Sequence, residues 1–156
     1  MGNKTKSVRD NVVTTYTLDN AYRLTGQQAA SGNVTMAYDT RGNITSKWQQ
    51  ATSPMTFTLD AANQMVTMLQ GSTKTTYAYD ANGNLISEQT PLGPITPWSY
   101  TYDDEDRLTL EKQTNLAPNP LSTYTYSGDG LRRTAFPASG VLTTFVWDGS
   151  DYLGEY

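Results

Sequence analysis

Cysteine and histidine are both absent from this chain of 156 residues. Without them there is no disulfide framework, no thiolate nucleophile, no Ser-His or Cys-His relay and no zinc site of the usual kind, so a metal could be held only through oxygen. Positive charge is also scarce. The 11 Lys and Arg stand against 15 Asp and Glu, for a net charge of −4, which offers phosphates no electropositive field and excludes nucleic acid as an expected partner. No apolar run approaches the roughly 18 residues that a membrane-spanning helix needs, and Met1 to Ser7 carries no apolar signal-peptide core, so no membrane association is expected. Amphipathic helix patterns are missing too, because Gly, Pro or clustered Thr interrupts every candidate window. The missing cysteines suit a reducing cytoplasm or a bacterial exterior in which disulfides are unused.

What remains is rich in Thr, with 11 Tyr and 12 Gly among many Asn and Asp, a composition of short strands joined by tight turns. One phrase recurs down the chain. Its copies are Tyr16 to Leu24, Met36 to Ile44, Phe57 to Met65, Tyr77 to Leu85, Tyr100 to Leu108, Tyr124 to Leu131 and Phe145 to Leu153. The Asp position holds Asp19, Asp39, Asp60, Asp80, Asp103, Ser127 and Asp148, about 21 residues apart on average. The closing apolar residue lies five positions after it, except in the sixth copy, which reads as one residue shorter.

Each phrase is expected to be a strand, a turn and the start of a second strand. Residues two apart on a strand share a face, so Tyr77 with Tyr79, Tyr100 with Tyr102, Tyr124 with Tyr126 and Phe145 with Trp147 put paired rings on one buried face. Asp39, Asp80, Asp103 and Asp148 begin turns whose backbone N–H groups their carboxylates accept. Gly42, Gly83, Gly128 or Gly149, with neighbouring Asn such as Asn43 and Asn84, supplies positive φ. Leu24, Ile44, Leu85, Leu108, Leu131 and Leu153 return to the apolar face. The period fits one β-hairpin, and hairpins laid side by side share one face. The expected fold is all-β: a curved antiparallel sheet of tandem β-hairpins, an open spiral or partial barrel. Residues 1–13 are expected to be a poorly ordered leader or cloning-derived segment, and 14–156 an array of about seven repeats. Pro91–Pro97 and Asn115–Pro120 read as loops within that array.

These residues resemble the YD repeat of the Rhs family. Tyr38-Asp39, Tyr79-Asp80 and Tyr102-Asp103 give the Tyr-Asp pair, followed by Gly-Asn-Ile/Leu at Gly42 to Ile44 and Gly83 to Leu85 or by Arg-Leu at Arg23-Leu24 and Arg107-Leu108. The resemblance spans residues 14–156. It implies a strip of antiparallel hairpins spiralling into a hollow shell, which in bacterial polymorphic toxins and the C components of insecticidal toxin complexes encloses a toxic domain and in the animal teneurins belongs to an adhesion receptor. It also implies a secreted or cell-surface bacterial location. The family's self-cleavage motif Asp-Pro-x-Gly has no counterpart, since no Pro follows an Asp.

Other constellations point less far. Asp103-Asp104-Glu105-Asp106 could hold Ca²⁺, but it lacks the spacing of an EF-hand loop and reads as a solvated turn. Asp103 with Asp106, or Asp148 with Asp151, could pair as a glycosidase acid and base, yet carboxylates of repeated turns already have a structural task. Trp147 occupies a repeat position, and Trp48 shares a face with Ile44 by even spacing, so both are expected to be packed. Trp98 follows a Pro-rich loop and is the candidate for stacking on a glycan. The expectation is therefore a non-catalytic scaffold with no cofactor or metal. Its partners would be neighbouring repeats of a larger parent or other copies of itself, joined through sheet edges. An extracellular module that binds a glycan or protein through exposed aromatics is the alternative.

Overall fold

The computed structural model describes residues 5–90, 97–113, 121–138 and 140–156. Among them every regular element is a β-strand, and every strand pairing is antiparallel. Most of the Pro91–Pro97 loop and all of Asn115–Pro120 lie outside the described residues.

Contacts divide the chain into two units, Met1–Lys74 and Thr75–Tyr156. The first holds β1 (Lys6–Arg9), β2 (Val12–Leu18), β3 (Leu24–Ala29), β4 (Gly32–Tyr38), β5 (Ile44–Gln49), β6 (Met55–Leu59) and β7 (Met65–Gln70). The second holds β8 (Thr73–Tyr79, from Thr75 onward), β9 (Leu85–Gln89), β10 (Trp98–Tyr102), β11 (Leu108–Gln113), β12 (Leu121–Tyr126), β13 (Arg132–Phe136), β14 (Thr143–Asp148) and β15 (Asp151–Glu155). Within each unit the strand order is the chain order and the sheet is unclosed. Strand β1 falls inside the segment expected to be a leader, where Lys6 to Arg9 pair with Thr15 to Val12.

No hydrophobic side chain among the described residues is fully buried. The most enclosed groups are the hydroxyl residues Thr75, Thr90 and Ser122, with Thr75 and Thr90 bonded to each other at 2.9 Å and Ser122 accepting from the Ala138 amide at 3.2 Å. In the first unit Tyr16 and Tyr38 are half-buried on one face while Thr15, Thr17, Thr35 and Ala37 are exposed on the other; in the second Tyr77, Tyr79, Tyr100, Tyr102, Tyr124 and Tyr126 are half-buried on one face while Ala78, Thr101 and Thr125 are exposed on the other. Stability in such a sheet comes from each hairpin's contacts with its neighbours rather than from a central core.

A β-bulge follows each of the seven repeated turns, whereas the β1–β2 and β3–β4 turns pair without one. Tyr38 pairs with Ile44 but Ala37 with Ser46, leaving Thr45 unpaired. The same shift leaves Thr25, Val66, Ile86, Thr109, Arg133 and Leu153 as extra residues. Thr25 and Thr109 each donate their hydroxyl back to the facing carbonyl, of Thr17 at 3.2 Å and Thr101 at 3.0 Å. The bulge overturns the expectation for Trp48. Even spacing from Ile44 fails once Thr45 is extra, so Trp48 pairs with Thr35 on the face opposite the tyrosines and is 37% exposed.

Two further expectations change. In the sixth repeat Tyr126 pairs with Arg132, so that turn has full length, and its positive φ falls on Gly130, three residues after Ser127, instead of on Gly128. Leu131 stands where Arg107 does in the fifth, and Arg132 takes the apolar slot. The seventh turn is the short one: Asp148 pairs with Asp151 across Gly149-Ser150. The closing slot there belongs to Tyr152, which meets the rings of Trp147 and Phe145, and Leu153 is 65% exposed.

Candidate functional site

The repeated turns form the built feature of the molecule. In six of them the backbone N–H of the Asp-position residue donates to the carbonyl four residues on, as Asp39 to Asn43 (2.9 Å), Asp80 to Asn84 (3.0 Å) and Asp103 to Arg107 (3.0 Å). Its own carbonyl accepts from the N–H three residues on, Gly42 or Gly83 at 3.2 Å and Asp106 at 3.0 Å. The Asp39 Oδ1 accepts from the amides of Arg41 (2.9 Å) and Asn43 (2.8 Å), and Asp19, Asp60, Asp80 and Asp103 repeat that pair of bonds. A short acidic side chain suits this task because it folds back over its own turn.

The other carboxylate oxygen holds the side chain four positions on. Arg23 Nε donates to Asp19 Oδ2 at 2.7 Å, Arg107 Nε to Asp103 Oδ2 at 2.7 Å, and the amides of Asn43 and Asn84 to Asp39 and Asp80 at 3.0 Å. That same side chain then reaches the next turn. Arg23 donates to the Asp39 carbonyl (3.0 Å), Asn43 to the Asn63 side chain (2.8 Å), Asn84 to Asp106 (2.6 Å) and Arg107 to the Ser127 carbonyl (3.2 Å). Arg41 adds bonds to the carbonyls of Asp60 and Ala61. Within each unit the turns are thereby laced into a ladder along one edge of the strands.

In four repeats the ring just before the Asp position makes a second link to the repeat before it. The hydroxyl of Tyr38 donates to the Leu24 carbonyl (2.8 Å), Tyr102 to Leu85 (3.0 Å) and Tyr126 to Leu108 (2.9 Å). Trp147 does the same through its indole N–H, to Arg132 at 2.9 Å. The guanidiniums of Arg23 and Arg107 lie 4.7 and 5.0 Å from the ring centres of Tyr38 and Tyr126, within cation–π range. The pairs Tyr38-Asp39 and Tyr102-Asp103 thus divide their labour: Asp shapes its own turn, and Tyr grips the previous one.

Electrostatics follow the geometry. The side-chain amide of Asn43 and then its backbone N–H hold the Asp39 carboxyl below its ordinary value, as Asn84 does for Asp80. For Asp19 the Arg23 backbone N–H leads. For Asp103 desolvation opposes the shift, and the bonds from Arg107 outweigh it. Tyr77, Tyr100, Tyr102 and Tyr124 are pushed upward, first by desolvation; Glu88 adds to this for Tyr77 and Tyr100, and Glu111, which accepts from the Tyr124 hydroxyl at 3.1 Å, adds to it for Tyr100 and Tyr124.

The acidic run at 103–106 is engaged in these bonds: Asp103 and Glu105 with Arg107, and Asp106 with Asn82 and Asn84. Among the described residues no cluster of acidic side chains is arranged to hold a metal ion. Trp98 is half-buried, its ring stacked on Tyr100 at 6.5 Å and 12°. Asp148 pairs with Asp151 at the short seventh turn. Sequence reasoning missed the second bond of Arg23, Asn43, Asn84 and Arg107, although their recurrence four residues after the Asp was the signal.

Comparison with known proteins bears on this ladder. The family model described as Teneurin YD-shell matches residues 2–149. No curated protein matches the chain. Solved structures do: TcdB2-TccC3 without its hypervariable C-terminal region, at 20% identity and a TM-score of 0.72, and TcdB2-TccC3-Cdc42, at 20% and 0.70. The Photorhabdus luminescens Tc holotoxin pore is similar at 18% and 0.53. The chain is covered to 90% in the first two and spans 9% of their length; for the third the shares are 86% and 10%.

Proposed function

Because this chain belongs to the teneurin YD-shell family, we propose that its hairpins are a length of wall in a shell enclosing a polymorphic-toxin domain. The chain itself is a structural, non-catalytic repeat module of that family. The enclosing role rests on one observation above others. Every ordered connection between repeats, from the Tyr hydroxyls to the Arg and Asn side chains of the turns, is a rule for adding the next hairpin. Such a rule extends a surface and needs no reacting group. Likeness to Tc toxin components supports a secreted or cell-surface bacterial setting.

Within its own unit, β1 pairs only with β2 and β15 only with β14 among the described residues. Backbone donors and acceptors on such strands are templates for further pairing, so neighbouring repeats or second copies of this chain are the expected partners. Limited proteolysis of the parent protein carrying these repeats tests the wall. A domain that resists protease until the repeats are unfolded supports enclosure, and one digested as fast as when expressed alone overturns it. Light scattering across a wide concentration range tests edge pairing, which a strictly monomeric chain contradicts.

A further inference from the structure

The face opposite the tyrosine rows carries a cleft that wall building does not use. Thr17, Gly26, Thr35 and Trp48 are successive pairing partners across β2, β3, β4 and β5, and partners in register share a face. They form one transverse row with a hydroxyl, a gap, a hydroxyl and an indole. Gly26 makes the gap. The nearest atoms a Cβ there would meet are those of the Thr17 side chain at 3.4 Å and the Val34 carbonyl at 3.8 Å, ordinary van der Waals distances, so the absent side chain leaves a notch that its neighbours do not clash into. The next row contributes Gln28 and its partner Asn33. Together these residues line a cleft of about 300 Å³, within the range that holds small ligands.

The lining contains hydroxyls, amides and one exposed ring, and no charged side chain. Lys47, the cation nearest to Trp48 in sequence, pairs with Met36 and so lies on the other face. We propose that this cleft binds a neutral saccharide, with a pyranose seated over Gly26 and Thr35 and its C–H face against Trp48. Three features match that ligand class. A sugar ring offers an apolar face to stack on an indole, its rim hydroxyls need the mixed donors and acceptors that Thr, Gln and Asn supply, and its lack of charge requires no counter-ion. A phosphate or an acidic sugar would meet no cation here. At about 4.8 Å per strand, Trp48 and Gly26 stand roughly 10 Å apart, room for a ring between them and not for a folded domain.

The test uses the whole chain and the indole N–H resonances of its three tryptophans. Methyl glycosides of glucose, galactose and N-acetylglucosamine, and their β-linked disaccharides, are titrated in turn. At least one is expected to shift the Trp48 signal saturably while leaving those of Trp98 and Trp147 in place. Trp48→Ala should weaken binding about tenfold or more. Gly26→Leu, which fills the gap and keeps the indole, should do the same with an unchanged β-sheet circular dichroism spectrum. The proposal is overturned if no neutral sugar moves the Trp48 resonance, if only an acidic sugar does, or if binding survives Gly26→Leu.

Discussion

The hydroxyl of Tyr126 donates to the backbone carbonyl of Leu108 at 2.9 Å, tying the ring of one repeat to the residue that closes the turn before it. The Arg107 guanidinium covers the same ring at 5.0 Å. Replacing Tyr126 with Phe keeps the ring under its cation and removes only the hydrogen bond. A net loss of about 1 kcal/mol is expected, and Tyr102→Phe, which releases the Leu85 carbonyl, should cost a similar amount. Urea denaturation checks both. No change in the midpoint of either variant would show that the hydroxyls are not the inter-repeat link.

Asp39 makes a different contribution, because its two carboxylate oxygens serve different partners. Asp39→Asn keeps an acceptor for the turn amides, whereas Asp39→Ala leaves the amides of Arg41 and Asn43 and the side chain of Asn43 without theirs. The urea midpoint should therefore fall for both and fall further for Ala. Equal midpoints for the two would mean that charge, not turn geometry, is what the position supplies.

Both ends of the pH range should destabilise the fold. Asp19, Asp39, Asp80 and Asp103 lie below their ordinary value of 3.8 in the folded chain. Their contribution is complete above that value and is lost as pH falls below it through the folded values. Tyr77, Tyr100, Tyr102 and Tyr124 lie above their ordinary value of 10.0, so their contribution is complete below that pH and is lost as pH rises through the folded values. Thermal melts across the range should show a plateau between, and tyrosinate absorbance should rise together with unfolding at the alkaline end.

Much of this architecture was legible in the sequence because a hairpin repeat advertises itself twice, in the alternation of rings such as Tyr100 and Tyr102 and in the Asp that follows them. The bulge was hidden. An extra Thr45 leaves the spacing of the repeats untouched while exchanging the faces beyond it, which is why Trp48 emerges opposite Ile44. Turn length was hidden too. Leu131 and Leu153 look like equivalent closing residues, but backbone pairing gives the slots to Arg132 and Tyr152, and an Arg can fill an apolar slot by laying its guanidinium 5.0 Å from the Tyr124 ring. The lacing between turns depends on which atoms lie across a strand gap, which one-dimensional spacing does not state.

Tyr22 is the place where one turn departs from the rest. The third residue after the Asp position has positive φ in all six long turns: Tyr22, Gly42, Asn63, Gly83, Asp106 and Gly130. Gly meets this demand without cost, and Asn and Asp meet it at little cost, but Tyr carries the clash of its Cβ with the backbone, worth about 1–2 kcal/mol. Its ring repays little of that, being 73% exposed. Tyr22→Gly should therefore raise stability by about 0.5–1 kcal/mol after the extra freedom of Gly in the unfolded chain is deducted, and Tyr22→Asn should also stabilise. Gly42→Ala tests the reverse: at φ 96° a Cβ would have Arg23 Nη1 at 3.9 Å as its nearest neighbour, so steric space is adequate and the loss, about 1 kcal/mol, would come from the backbone. Thermal and urea midpoints measured on the three variants should move up, up and down in that order. A drop for Tyr22→Gly would mean that the exposed ring has a partner worth more than the strain it imposes.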